Sequence, residues 1–228
     1  MGIFTNSSVV NITINPEAKF WNNSMYRAFG ECLSLNCPIN IPNGVTNLMW
    51  AFANCRNYNQ PITIPNSVTH LYYAFYGCQN FNQPVTIPNS VTRMDFCFYT
   101  DYNFNQPLNI PNSVIDARMV VGYCRNFNQP VVFGTGVEVL NSAFFYCNNM
   151  AKNVTILSPN VKYAINMFQY KNNSKRINVI VPADSNTNTK LAICNKSSGI
   201  LGFNFKWTVD SANNCRYNST YGIYVYWV

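Results

Sequence analysis

The residues best suited to chemistry in this sequence are nine cysteines and a single histidine. Five of the cysteines share one position of a repeated pattern, which Asp101 interrupts: Cys32, Cys55, Cys78, Cys124 and Cys147. Metal ligands must converge on one point, whereas such a row spreads them along the chain, and no Cys-x-x-Cys occurs. The pattern therefore predicts buried free thiols that pack as small apolar side chains, with no metal site and no cofactor.

Disulfides are the second interpretation of the cysteines. Adjacent members of the row would keep their Cβ atoms about 4.8 Å apart, beyond the roughly 3.5–4.5 Å of a disulfide. Cys194–Cys215 and Cys32–Cys37 stay open as pairs, because their spacing does not decide for or against a bond. Few disulfides would suit a surface protein that folds in a reducing cytoplasm before its release.

The titratable residues form no catalytic pattern. His70 occupies a repeat position that holds Asn47, Arg93 and Asp116 in other units, so we expect it to face solvent and to take no part in a triad. Asp95 and Asp116 lie one unit apart, and glycoside cleavage needs two carboxyl groups about 5–10 Å apart, but no further residue favours that reaction. We predict a protein that is not an enzyme and has no catalytic residues.

A 23-residue repeat positions all of these residues. Its frame restarts at Pro38, Pro61, Pro84, Pro107 and Pro130. A fixed period of this length is typical of a solenoid, in which each unit buries its apolar side only against neighbouring units. We predict an α/β solenoid of about six to seven such units.

Each unit divides into three parts. In one unit, Val85–Ile87 alternate apolar and polar, which predicts a half-buried strand, and Pro88–Ser90 predict a turn. Val91, Met94 and Phe98 follow at spacings of three and four residues, which predicts a short helical segment. Stacking the units would align their strands in a parallel sheet with a separation of about 4.8 Å.

Two aromatic rows at the repeat spacing predict the core. The first contains Phe29, Phe52, Phe75, Phe98 and Phe144, with Val121 as the exception, and the second contains Tyr58, Phe81, Phe104 and Phe127. Burial of one such side chain contributes about 1.5–3 kcal/mol, so we expect these rows to dominate stability.

The consensus IPNSVTxLxxAFxxCxxF resembles the BspA-like leucine-rich repeats of bacterial and protist surface proteins. The FNQP that closes several units resembles a related repeat class in mycoplasma-type surface lipoproteins. The resemblance covers residues 38–153, with degenerate copies on either side. It implies a leucine-rich-repeat coil and extracellular recognition or adhesion through protein or glycan contacts.

The repeat divides the chain into three parts. We expect an N-terminal cap at 1–24, the leucine-rich-repeat solenoid at 25–176 and a β-rich C-terminal cap or attachment module at 177–228. Caps are needed because an open end exposes apolar core and an unpaired strand edge. The last strand, 221–228, either packs against the final coil or pairs with a partner chain and so forms an oligomer.

Composition narrows the range of partners. The net charge of +7 comes from 15 scattered Lys and Arg residues, whereas a nucleic-acid site needs basic residues massed on one face. No apolar run approaches the roughly 18 residues of a membrane span. The N-terminus lacks the pattern of a secretory leader, so either a leader was removed or the protein leaves its cell by another route, such as virion assembly followed by lysis.

Two surfaces are candidate binding sites. The outward strand positions predict a flat, nearly uncharged row that includes Thr63, Thr86 and Asn109. The segment after the turn carries one aromatic row at Trp50, Tyr73 and Phe96, and another at Tyr76 and Tyr99. Aromatic rings beside amide side chains suit a protein partner or a surface glycan. A further row is interpreted as backbone caps between units: Asn59, Asn82, Asn105 and Asn128.

These patterns favour a non-enzymatic recognition or structural protein on a virion or cell surface. We expect a phage virion component, such as a fibre, decoration or tail-associated protein, that binds an assembly partner, a surface glycan or both. A secreted or lipoprotein-type bacterial adhesin is the first alternative. A hydrolase built on the repeat scaffold is the second.

Overall fold

A computed structural model describes residues 4–170, 176–182, 208–210, 215–218 and 223–227. The chain winds into stacked coils and makes a short 3-10 turn at Trp21–Asn23. The strands are β1 Leu108–Ile110, β2 Val131–Phe133, β3 Val154–Ile156, β4 Ile177–Val181, β5 Thr208–Asp210, β6 Cys215–Asn218 and β7 Ile223–Trp227. They form one sheet in the order β1-β2-β3-β4-β7-β6-β5.

Five neighbouring strands of this sheet run parallel, and the register of β1 to β3 reproduces the repeat. Leu108 pairs with Val131, and Val131 pairs with Val154. The predicted strands of these units are therefore confirmed. In the earlier units, residues 39–41, 62–64 and 85–87 keep the same alternation of buried and exposed side chains outside the seven strands. A second parallel ladder consists of single bridges that run from Ser24 to Tyr163.

The prediction of a short helical segment after the turn of each unit is wrong. The described residues contain no α-helix, and the segment after each single bridge is a run of tight turns. Trp50, Tyr73 and Phe96 have φ angles of 59°, 55° and 57°, in the left-handed region that a right-handed helix excludes. Consequently, no helix in the described part of the chain is long and apolar enough to cross a membrane.

Hydrogen bonds between coils explain why turns replace a helix. The N–H groups of Leu48, Trp50 and Phe52 donate to carbonyls of the next coil at 2.9–3.1 Å. The intervening N–H groups of Ala51 and Ala53 donate three residues back along their own coil, at 2.9 and 3.1 Å. A helix would instead use every N–H within its own coil, four residues back. The turns therefore allow each coil to bond to its neighbour.

Stacked aromatic rings fill the core, as the two rows predict. Phe52, Phe75 and Phe98 are fully buried, with successive ring centroids 5.3 and 5.5 Å apart. In the second row, Phe81 and Phe104 stack at 6.2 Å. The two rows also meet, since the rings of Phe98 and Phe104 lie 4.3 Å apart. Each ring contacts the coils on both sides, so the stacks couple neighbouring units.

The N-terminal segment packs on the first coil of the repeat. Phe4 stacks on Phe29 with ring centroids 5.7 Å apart, and its carbonyl accepts the Cys32 thiol at 2.8 Å. Ser7 takes the cysteine position, with its Oγ 3.5 Å from Cys32 Sγ. Residues 4–7 therefore pair with the first coil much as one coil pairs with the next.

The C-terminal strands extend the sheet of the coils. β7 lies between β4, to which it is parallel, and β6, to which it is antiparallel. Both edges of the last strand are thus hydrogen-bonded within the chain. Among the strands that the structure describes, β5 is the outer one at this end of the sheet.

Candidate functional site

The cysteine row lies in the core, where the thiols serve as hydrogen-bond donors. Cys55 donates to the Phe29 carbonyl at 2.9 Å, and Cys78 donates to the Phe52 carbonyl at 3.0 Å. The same contact recurs from Cys124 to Phe98 and from Cys147 to Val121. Burial raises the pKa of the Cys55 and Cys78 thiols, so the nucleophilic thiolate is disfavoured. The row consists of buried free thiols, as predicted.

The two open disulfide pairs have different outcomes. Cys32 and Cys37 are both free thiols, so the bond between them is absent. Cys37 Sγ instead accepts the N–H of Ile12 at 3.3 Å. Cys194 lies outside the described residues, and its bond to Cys215 stays a prediction. Within the described ranges, no group of three His, Cys, Asp or Glu side chains is arranged to hold a metal.

The acidic residues of the turn segment are held by guanidinium groups. Arg93 donates to both carboxyl oxygens of Asp95 at 3.2 and 3.0 Å, and Arg118 likewise contacts both oxygens of Asp116. Burial raises the pKa of Asp95, although Arg93 opposes this rise. His70 is exposed, as expected, and its Nδ1 lies 2.8 Å from the Thr69 hydroxyl. Within the part of the chain that the structure describes, no carboxylate is hydrogen-bonded to His70.

The asparagine row has the backbone-capping role that the sequence predicts. Oδ1 of Asn59 accepts the N–H of Asn82, and Oδ1 of Asn82 accepts the N–H of Asn105, both at 2.9 Å. Nε2 of Gln83 and Gln106 adds a second donor to the same oxygens at 3.1 Å. These amides join successive coils, which satisfies backbone groups that would otherwise lack partners.

The predicted binding residues divide between two surfaces. Thr63, Thr86 and Asn109 are exposed on the strand segment, each between two buried apolar neighbours. Trp50 and Tyr73 belong to the turn segment, where they are half-buried. The strand row is polar at these three positions, whereas the turn segment carries a row of aromatic rings in contact.

The predicted aromatic residues belong to a longer surface, which we name the aromatic strip. Tyr73 stacks on Trp50 at 4.1 Å and on Phe96 at 4.5 Å, measured between ring centroids. Tyr76 stacks on Tyr99 at 5.6 Å. The strip consists of Trp50, Tyr72, Tyr73, Tyr76, Phe96, Tyr99, Tyr123, Phe145, Tyr146 and Tyr170. All are half-buried except Tyr170, which is 56% exposed.

Part of the strip escapes a strict search at the repeat spacing. Tyr123 follows Tyr99 by 24 residues, yet their ring centroids lie 5.4 Å apart. Tyr146 and Tyr170 continue from there with centroids 4.5 Å apart. In these later units the aromatic residue stands one position further along the unit than Tyr99 does. That position is a second one with a left-handed backbone, and φ is 57–63° at Tyr123, Tyr146 and Tyr170. A search at both 23 and 24 residues would have found them.

Stacking covers both faces of the Tyr73 ring, whereas other rings of the strip meet at tilted or edge-on angles. The ring planes of Trp50 and Phe96 lie within 9° of the Tyr73 ring, one on each side. The left-handed backbone at all three residues fixes the direction of their side chains. Burial and a hydrogen bond with Tyr72 raise the pKa of Tyr73, so its hydroxyl stays neutral at physiological pH. The strip is therefore a pre-ordered aromatic surface that presents the edge of the Tyr73 ring and its hydroxyl group.

Similarity is found to a sequence family and to a crystal structure. A family described as "Mycoplasma protein of unknown function, DUF285" matches residues 23–132 and 69–183, which together exceed half of the chain. No curated protein sequence matches it. A crystal structure of a leucine-rich repeat protein from Bacteroides ovatus is similar with a TM-score of 0.49 and 19% identity, over 70% of this chain and 46% of that one. This chain thus spans less than half the length of that protein. The chain belongs to the DUF285 family.

Proposed function

We propose that this chain is a non-enzymatic recognition protein, displayed outside the cell, that binds a protein partner through the aromatic strip. The observation that carries the proposal is the continuity of the strip, whose rings contact one another from Trp50 to Tyr170. Tyrosine and tryptophan are enriched in the centres of protein interfaces, because they combine large apolar area with a polar group.

The order of the strip favours binding. Side chains that are immobilised only on binding each cost about 0.5–1.5 kcal/mol. In the strip, stacking at 4.1–4.5 Å already holds Trp50, Tyr73 and Phe96 in place. Binding would therefore lose little side-chain entropy at these positions.

A protein partner suits the strip better than a glycan. Sugar rings bind aromatic side chains mainly through an open ring face, and both faces of Tyr73 are covered by neighbouring rings. Ring edges and hydroxyl groups can instead pack against apolar side chains and hydrogen-bond to a polypeptide backbone.

The external location rests on the resemblance to repeat-containing surface proteins. Two locations fit a recognition protein of this kind, a phage virion and a bacterial cell surface. The guanidinium partners of Asp95 and Asp116 support a non-enzymatic role, because these carboxyl groups already have partners.

Site-specific crosslinking tests the binding surface. A photoreactive phenylalanine analogue would replace Tyr76 in the strip and, as a matched control, Thr86 in the strand row. We expect crosslinks to a cell-surface protein from position 76 and none from position 86, after incubation with intact cells of the bacterium that hosts the phage or produces the adhesin. Crosslinks from position 86 alone would overturn the proposal.

Binding to the same cells distinguishes a protein from a glycan. We expect the double variant Tyr76→Ala/Tyr99→Ala to lose binding, while Thr63→Ala/Thr86→Ala retains it. Protease treatment of the cells should abolish binding, and periodate oxidation of their glycans should not. The opposite sensitivity, with full binding by the strip variant, would contradict a protein partner.

Fractionation tests the location. Detection in purified virions by mass spectrometry would support a virion component, and antibody labelling of intact cells would support an adhesin. Confinement to the cytosol would contradict both.

A further inference from the structure

One member of the cysteine row is a carboxylic acid. Asp101 occupies the position between Cys78 and Cys124, and its side chain is fully buried. Neither carboxyl oxygen has a hydrogen-bond partner, and no ion pair in the described ranges includes it. A buried carboxylate without a partner carries a large desolvation cost, so this arrangement disfavours the charged form.

The hydrogen bonds of the row indicate what Asp101 replaces. The Phe52 carbonyl accepts two donors, the N–H of Cys55 and the thiol of Cys78, both at 3.0 Å. One coil further, the Phe75 carbonyl accepts the N–H of Cys78 at 3.0 Å. Asp101 holds the place of the second donor to this carbonyl. A carboxylate has no proton to donate, whereas a neutral carboxyl group has one.

We propose that Asp101 is a neutral carboxylic acid in the folded protein, that it donates to the Phe75 carbonyl in place of a thiol, and that it makes the solenoid progressively less stable as pH rises. This inference is independent of the aromatic strip and of any partner.

The surroundings of Asp101 support a neutral group. The titratable groups that interact with it are the thiols of Cys78, Cys97 and Cys124, all of which are buried and uncharged. Burial raises the pKa of Asp101 well above its usual range, and the N–H groups of Gly77 and Cys78 only partly oppose this rise. Both N–H groups already donate to backbone carbonyls, at 2.9 and 3.0 Å. They are therefore poorly placed to stabilise a carboxylate.

Proton linkage gives the direction of the effect. In the unfolded chain the pKa of an aspartate is about 3.9, whereas in the folded protein that of Asp101 is raised. Between these two pKa values the folded state holds a proton that the unfolded state lacks. The contribution of the neutral Asp101 carboxyl group to the stability of the folded state is fully present below about pH 4. It is lost as pH rises through the pKa that Asp101 has in the folded protein. Within that window the unfolding equilibrium constant increases about tenfold per pH unit.

Urea unfolding of two variants isolates this contribution. Asp101→Cys restores the thiol row, and Asp101→Asn keeps the shape without an acid. We expect the unfolding constant of the wild-type protein, divided by that of Asp101→Cys, to increase about tenfold per pH unit above about pH 4. The same ratio for Asp101→Asn should stay constant. A wild-type ratio that is also constant would overturn the proposal.

Carbon-13 NMR of labelled aspartate tests the proposal without a variant that must fold well. The Asp101 carboxyl signal should keep the chemical shift of a protonated acid at neutral pH, whereas Asp116, held by Arg118, serves as the ionised reference. An Asp101 signal that titrates near pH 4 would equally overturn the proposal.

Discussion

Replacing Phe75 by alanine tests the aromatic core directly. The ring is fully buried between Phe52 and Phe98, at 5.3 and 5.5 Å, and it also contacts Phe81 at 4.9 Å. The substitution removes about 1.5–3 kcal/mol of apolar burial. It also leaves a cavity, which the adjacent coils cannot fill because hydrogen bonds between coils fix their spacing. The two effects together give an expected loss of about 3–5 kcal/mol.

Urea denaturation followed by tryptophan fluorescence measures this loss as a decrease in the free energy of unfolding. Thr63→Ala is the matched control, because Thr63 is exposed in the same unit and its replacement should change stability by about 0.5 kcal/mol or less. A decrease below about 1 kcal/mol for Phe75→Ala, or one equal to that of the control, would refute the role of the stacked rings.

Two further predictions concern the polar rows. In the native protein Cys55 and Cys78 should not react with a thiol reagent, because burial raises the pKa of both thiols. Both should react after unfolding in urea. Rapid labelling of either thiol in the native protein would contradict its buried position. Asn82→Ala should destabilise the protein by about 1–3 kcal/mol, since it leaves the N–H of Asn105 without its acceptor. Asn80→Ala, in an exposed amide row, should cost about 0.5 kcal/mol or less, and equal losses in thermal or urea unfolding would argue against a special role for Asn82.

The sequence predicts the stacked coils and their core because apolar and polar residues recur at the same positions of every 23-residue unit. Residues such as Phe52 and Phe75 recur every 23 positions, and only a stack of identical coils brings them into contact. The same reasoning identifies the thiol row as packing. Here the repeat itself carries the information, and no knowledge of long-range contacts is needed.

The turn segment illustrates what the pattern leaves undecided. Spacings of three and four residues place side chains on one side of a helix and equally on one side of successive tight turns. The choice depends on whether N–H groups such as those of Trp50 and Phe52 bond within their own coil or to the next. That choice is a property of the stack and cannot be inferred from one unit.

The candidate site was only partly predictable for a related reason. Trp50, Tyr73 and Phe96 follow the repeat, so their row is visible in the sequence. Tyr123 and Tyr146 occupy a neighbouring position, and only the folded coils bring them into line with the others.

By itself, the sequence determined the period, the buried rows and the parallel stacking, because each follows from residue types repeated at a fixed interval. The tertiary structure alone decided that turns replace helices, that β7 lies inside the sheet, and that the aromatic strip is continuous. It also decided the surroundings of Asp101, because the neighbouring coils bury its carboxyl group and give it no hydrogen-bond partner. These features arise from contacts between units, where hydrogen bonds and ring stacking select one arrangement among several that a single unit would allow.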